Sequence, residues 1–335
     1  MSAAAAVVDS YDAVLFDLDG VIYLGHVAVP GAAEGIAQLH DRGTKIGFVT
    51  NNAARTPAAV ADHLVELGIP ATAADVITSA QAAAHLLVNR FGAGARILAV
   101  GGDGVTAALG EAQLVPVSSA DDDPVAVIQG YGFDLKWQEL NEAAIAIHRG
   151  AHWVATNIDP TRPTDRGLVP GNGAAVTAVK MAVLAEPEVA GKPYRPLLDD
   201  TVERLAAHHP LFVGDRLDTD IAGAVNAGLD SMLVLSGSHR AEELLAAAPG
   251  ERPTHVGEDL RAVLRPALVV TQTNGEFRCG QATASAVDGR LMVHRSGSTR
   301  IEAIWAAAYA MWWAADHGLA LDWRDALEQL QEPLR

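Results

Sequence analysis

Short apolar runs alternate with amphipathic stretches along most of the chain. Ala13 to Phe16 and Lys45 to Val49 read as buried strands. Each stops at polar residues, Asp17-Leu18-Asp19-Gly20 after the first and Thr50-Asn51-Asn52 after the second. A helical stretch around Glu34 to His40 separates them and closes at Gly43. Thr56-Pro57 reads as an N-cap followed by proline in the first helical position, and that helix runs to Gly68. A second series begins at Ser79: a helix to Phe91, a strand Arg96 to Val100, a helix near Val105 to Ala112 and a strand Val125 to Ile128. It continues with a helix Lys136 to Arg149 and a strand Trp153 to Thr156. A polar Pro/Gly stretch, Asn157 to Gly173, reads as a long loop before a helix Ala174 to Ala185.

The first rhythm returns with Gly191-Lys192-Pro193, then strands Leu211 to Val213, Met232 to Leu235 and Pro253 to Val256. Strands alternating with helices predict a parallel sheet. The pattern therefore predicts an α/β protein whose core, residues 10–79 and 181–264, is interrupted by an inserted domain over 80–180. The last part, 265–335, has another character. Phe277 to Val287, a turn at Asp288-Gly289 and Leu291 to His294 predict a hairpin, and Thr299 with Glu302 fits a capping box. Ile301, Ile304, Trp305, Ala308, Tyr309 and Trp312 recur at helical spacing, as expected of core or an interface.

Length agrees with more than one core, since the chain has 335 residues. The formal net charge of −17 makes a phosphate backbone an unsuitable partner, so nucleic acid is not expected. One cysteine, Cys279, excludes an internal disulfide and a cysteine zinc site. Met1 to Asp9 carries no basic residue and makes a poor signal peptide, and no apolar run of about twenty residues could span a bilayer. The expected location is the cytoplasm.

Candidate chemistry gathers at strand ends, where open α/β sheets bind ligands. Asp17 and Asp19 could both turn into one site, or merely decorate a loop. The other ends offer Thr50-Asn51-Asn52, Lys192 and Gly214-Asp215-Arg216-Leu217-Asp218-Thr219-Asp220. A hydroxyl, an ammonium and several carboxylates at one edge are costly unless a ligand such as Mg²⁺ with phosphate compensates them. Other candidates read as structural. Gly101-Gly102-Asp103-Gly104 lacks the spacing of a dinucleotide fingerprint, Asp121-Asp122-Asp123 reads as a solvated loop, and Asp218 as a solvated or supporting carboxylate.

These four motifs, in this order over residues 11–260, resemble the haloacid dehalogenase superfamily phosphatases, in the NagD-like subclass with a C2-type cap. The resemblance implies a Rossmann-like core and an α/β cap over the insertion; the small α+β C-terminal extension, read from its own hairpin and helix pattern, does not match the rest of the subclass. It implies Asp17 as nucleophile and Asp19 as general acid and base. Thr50, Asn51 and Lys192 would hold phosphate; Asp17, the Asp19 carbonyl and Asp215 would bind Mg²⁺; and Asp220 would orient metal-bound water or Lys192. In similar phosphatases a cap segment reaches the leaving group, which here points to Asn157, Asp159, Gly171, Asn172 and Gly173. Amides near Gly171 and Gly173 are expected to meet substrate oxygens.

The expected substrate is a small phosphorylated metabolite. The extension resembles that of actinobacterial glycerol-phosphate phosphatases, which points to glycerol 3-phosphate ahead of phosphoglycolate, pyridoxal phosphate, nucleotides or sugar phosphates. Its hairpin and helix also have a faint likeness to a fragment of an acetyltransferase fold. No glycine-rich pyrophosphate-binding turn accompanies them, so acetyl transfer is not expected. An inactive phosphometabolite-binding protein is the competing class, and a homodimer the assembly to consider.

Overall fold

A computed structural model describes residues 5–164 and 166–331. Met1 to Ala4, the first part of the segment judged a poor signal peptide, lie outside the described residues. The chain divides into two compact units, one of residues 1–24, 28–44 and 209–335 and one of residues 25–27 and 45–208.

In the first unit, four parallel strands run side by side in the order His255–Gly257, Asp230–Val234, Pro210–Gly214, Ala13–Asp17. Both Ala13–Asp17 and Pro210–Gly214 are buried at every position. This explains their unbroken apolar character, because a parallel strand is covered on both faces. Phe16 lies opposite Val213, so Asp17 and Asp215 emerge at the same carboxyl end of neighbouring strands.

The C-terminal part builds on this sheet. Phe277 to Val287, expected as one strand, is two: Glu276–Cys279 and Ala282–Val287, reversing at Gly280 with φ of 54°. With Val270–Thr273 and Arg290–His294 they make a four-stranded antiparallel meander. Short alternating strands of Ala, Thr and Ser carry too little apolar contrast for that break to be read from pattern alone.

Helix Arg300–Asp316 opens with the expected capping box: Glu302 N donates to Thr299 Oγ1 at 3.3 Å and Thr299 N donates to Glu302 Oε2 at 2.7 Å. Its aromatic stripe is core. Trp305 and Trp312 share one apolar cluster with Leu217, Leu233 and Leu244 of the parallel-sheet layer, and Trp312 Nε1 donates to Leu244 O at 2.9 Å. The extension is thus welded to the sheet that carries Asp17.

The second unit holds the pair Lys45–Thr50 and Val76–Thr78, and a five-stranded parallel sheet. Its order is Glu188–Val189, His152–Ala155, Ala126–Gln129, Arg96–Val100, Val115–Val117. Helices Ser79–Phe91, Asp103–Glu111, Trp137–His148 and Pro196–Arg204 belong to the same unit. The stretch expected as a 157–173 loop instead contains an antiparallel hairpin, Thr161–Thr164 with Gly167–Pro170, and the next helix begins at Asn172. Leu168 is exposed, and among the described residues the hairpin carries no buried apolar face for periodicity to reveal. Among the described residues no helix is long and apolar enough to cross a membrane.

Candidate active site

Asp17 and Asp215 are buried at the ends of their strands, whereas Asp19 is exposed. The carboxylates of Asp17, Asp215 and Asp220 bring oxygens within 4.8 Å of one another. Like charges at that distance in buried surroundings are expensive, and a bound cation removes the expense. The donor set is entirely oxygen, which suits a hard ion such as Mg²⁺ and not zinc or copper.

Two glycines shape this cluster. A Cβ on Gly20 would lie 2.2 Å from Asp215 Oδ2, and one on Gly237 would lie 2.1 Å from the same atom. Gly20 also has φ of 88°, where side chains are disfavoured. Ser238 N then donates to Asp215 Oδ2 at 2.6 Å. The link of Gly237 and Ser238 to Asp215 was not signalled by sequence, because the fold makes it.

Asp220 braces the loop around it, since its Oδ2 accepts from Asp215 N and Arg216 N, both at 3.1 Å. That pair of bonds fixes the turn that aims Asp215. Asp218 is different. Burial pushes its carboxyl up, but the Arg216 fork, at 3.0 and 2.7 Å, with help from His239, holds it below the usual carboxylate range. Its charge is already committed to arginine, in keeping with a supporting role.

The second unit presents the other motif residues around Asn51. Lys192 N donates to Asn51 Oδ1 at 2.8 Å, and Asn51 Nδ2 donates back to Lys192 O at 3.0 Å. The same Nδ2 faces both oxygens of Asp159, at 3.3 and 3.2 Å. Asn51 O accepts from Asn157 Nδ2 at 2.7 Å and from Ser79 Oγ at 2.6 Å. Thr50 and Lys192 are both buried beside this knot. Gly191 is required there, since a Cβ would fall 2.5 Å from Thr156 O and 2.6 Å from Asn51 Oδ1. Ser79 could not have been singled out by motif order, since it lies in no motif and acts through a backbone oxygen.

The role expected of the Gly171 and Gly173 amides needs correction. Gly171 N donates to Pro160 O and Gly173 N to Asp159 O, both at 2.9 Å. A Cβ at either position would strike the Ile158–Asp159 backbone, 2.3 Å from Asp159 O or 2.2 Å from Ile158 O. These glycines pin the hairpin to the chain that precedes it. Asn172 is also buried, donating to Gln129 O at 3.2 Å and Asn157 O at 2.7 Å. Of the five cap positions, Asp159 is the partly exposed one that carries a charge.

Replacing Asn51 with alanine should strand the buried Lys192 N–H and cost about 2 kcal/mol, measured by urea unfolding. With Lys192 and Asp159 no longer tied together, kcat/KM should fall about 10- to 100-fold.

Comparison with known proteins places this constellation. The haloacid dehalogenase-like hydrolase model matches residues 14–115, and a second model of HAD-hydrolase-like proteins matches 189–263. The chain is 46% identical over 258 residues to D-glycerol 3-phosphate phosphatase of Mycobacterium tuberculosis, covering 77% of this chain and 72% of that one. The chain belongs to the haloacid dehalogenase-like hydrolases. Within that family it is an enzyme, a phosphoric monoester hydrolase. It is also 33% identical over 253 residues to 5'-nucleotidase YutF of Bacillus subtilis, covering 75% of this chain and 96% of that one. A crystal structure of glycerol phosphate phosphatase from Mycobacterium tuberculosis in complex with magnesium superposes with a TM-score of 0.85 at 40% identity. That match covers 99% of this chain and 94% of the other. The similarity therefore includes the C-terminal extension.

Proposed function

We propose that the protein is a cytoplasmic, Mg²⁺-dependent phosphatase that hydrolyses glycerol 3-phosphate. The observation that carries the chemistry is the buried oxygen cluster of Asp17, Asp215 and Asp220. What supports the substrate is the 46% identity to a D-glycerol 3-phosphate phosphatase and a structural match that extends over the C-terminal extension. The core residues in this reading are 10–79 and 181–264, with 80–180 as cap.

An Asp17 carboxylate oxygen attacks phosphorus as the phosphorus–ester oxygen bond breaks, leaving an aspartyl-phosphate. Asp19 gives its proton to the departing alkoxide; its exposure lets it exchange protons with solvent. It then takes a proton from water as that water attacks phosphorus. The bond to Asp17 breaks, and phosphate leaves with both carboxyl groups restored. Thr50 and Lys192 hold phosphoryl oxygens, with Asn51 fixing the Lys192 backbone. Asp17, the Asp19 carbonyl and Asp215 would hold Mg²⁺. When bound, the ion screens the repulsion between a carboxylate nucleophile and a phosphate dianion. Asp220 holds the Asp215 turn.

Cys279 takes no part. Burial first, and Glu302 second, push its thiol up to about 11, so it stays protonated and unreactive, as suits a reducing compartment. A homodimer is the assembly we would test, by light scattering.

The test is phosphate release from a panel of glycerol 3-phosphate, phosphoglycolate, pyridoxal phosphate, a nucleoside monophosphate and a sugar phosphate, with Mg²⁺ or EDTA. Metal-dependent release with the highest kcat/KM on glycerol 3-phosphate is expected. Another ester ranking first would reassign the substrate and leave the chemistry intact. A folded protein that releases phosphate from none would favour a phosphometabolite-binding role.

A further inference from the structure

The cap hairpin carries a cation that no described ion pair occupies. Arg162 stands on the strand Thr161–Thr164, and its guanidinium carbon lies 5.1 Å from the Tyr131 ring centroid and 5.2 Å from that of Phe133. Those two rings meet edge to face, with centroids 5.6 Å apart. Arg162 Nε is buried without a hydrogen-bond partner among the described residues. In a chain of net charge −17, an arginine held by aromatic faces with no carboxylate partner among the described residues is unusual. The rings fix its direction and leave its donors for something else.

Both supports of this guanidinium lead back to the segment after Thr50. On one side, Asp159 is bonded to Asn51, and Gly171 N donates to Pro160 O at 2.9 Å, so close to the chain that a Cβ there would lie 2.3 Å from Asp159 O and 3.0 Å from Thr161 O. On the other, Gly102 N donates to Tyr131 O at 3.1 Å and Gly104 N to Ala54 O at 3.3 Å. A Cβ on Gly104 would lie 2.5 Å from the carbonyl oxygens of Ala53 and Arg55. The glycine run at 101–104 is thus a wedge between the aromatic pair and residues 53–55. It gives Arg162 a fixed position relative to Thr50 and Asn51 within this unit.

We propose that Arg162 determines specificity by donating hydrogen bonds from its planar fork to hydroxyl oxygens of a small polyol leaving group. The inference rests on the phosphatase reading above and adds the group that recognises the alcohol. A hydroxyl is favoured over a carboxylate because Asp159, on the same segment, is an acceptor, as its bonds from Asn51 Nδ2 show, and an alcohol can donate to such a group as well as accept from Arg162. A site built to bond hydroxyls rejects an analogue that lacks them, since its buried donors are left unpaired.

The test compares glycerol 3-phosphate with n-propyl phosphate, which has the same chain without the two hydroxyls, using the full-length enzyme with Mg²⁺. Wild type should prefer glycerol 3-phosphate, and Arg162→Met should lower the ratio of the two kcat/KM values at least about tenfold. Arg162→Lys keeps the charge and the packing stem but not the fork, and should recover only part of the ratio. Equal losses on both esters would mean that Arg162 merely braces the hairpin, and would overturn the proposal. So would an unchanged ratio, or full recovery by lysine. Wild type that cleaves neither ester would overturn the glycerol 3-phosphate reading itself.

Discussion

Asp17→Asn is expected to reduce phosphate release by about 10,000-fold or more while leaving the fold intact. The change keeps size and shape at a position that is buried beside Asp215 and Asp220. It removes the only feature the first step needs from this side chain, an anionic oxygen able to bond to phosphorus. Deleting a covalent nucleophile costs that order of magnitude because the residues around it act as a unit and cannot compensate. Stability should be unchanged or slightly higher, since one of three mutually repelling carboxylates is gone. Steady-state kinetics and a thermal melt together check both parts. A residual rate within about tenfold of wild type would mean that another group attacks phosphorus.

The second large effect comes from a residue with no chemistry of its own. Gly20→Ala places a methyl group 2.2 Å from Asp215 Oδ2 and 3.0 Å from Gly237 Cα, on a backbone with φ of 88°. Asp215 is held on that side by Ser238 N and from behind by the Asp220 turn, so it cannot retreat without breaking those bonds. We expect kcat/KM to fall about 100- to 1,000-fold, with a higher Mg²⁺ concentration needed for half-maximal activity. Gly43→Ala is the control. It has φ of 71° but open space around it, so it should cost only about 1–2 kcal/mol of stability and leave the Mg²⁺ requirement alone. If both variants shift the Mg²⁺ titration equally, crowding of Asp215 is not the cause.

The motif residues could be read from the chain because strand ends announce themselves. An apolar run that stops at Asp17, Thr50 or Asp215 fixes both the side chain and its place at the carboxyl edge of a parallel sheet. What surrounds those residues could not be read in the same way. Gly20 and Gly237 are far apart in sequence and converge on one carboxylate only after the strands align. Asp220 gave a charge to sequence reasoning, but its use, to hold two backbone amides, depends on the turn it sits in. The hairpin of Thr161–Pro170 was hidden because its prolines and exposed side chains carry no period, and with it went the pairing of Arg162 to Tyr131 and Phe133. Folding decided these points through close approach of backbone and rings, for which sequence offers no repeating signal. The aromatic stripe of Arg300–Asp316 lay between these cases. Its helical spacing was plain, but whether it faced core or partner was settled only by the cluster it shares with Leu233 and Leu244.

The central claim is that phosphate passes through a covalent bond to Asp17. The most direct measurement is to quench the enzyme in acid during turnover of glycerol 3-phosphate, reduce acyl phosphates with borohydride, and map the modified residue by mass spectrometry. The account predicts conversion of Asp17 alone, absent without Mg²⁺ and absent in Asp17→Asn. Modification at Asp19 in place of Asp17, or turnover with no trapped acyl phosphate and a single-displacement outcome at phosphorus, would contradict it.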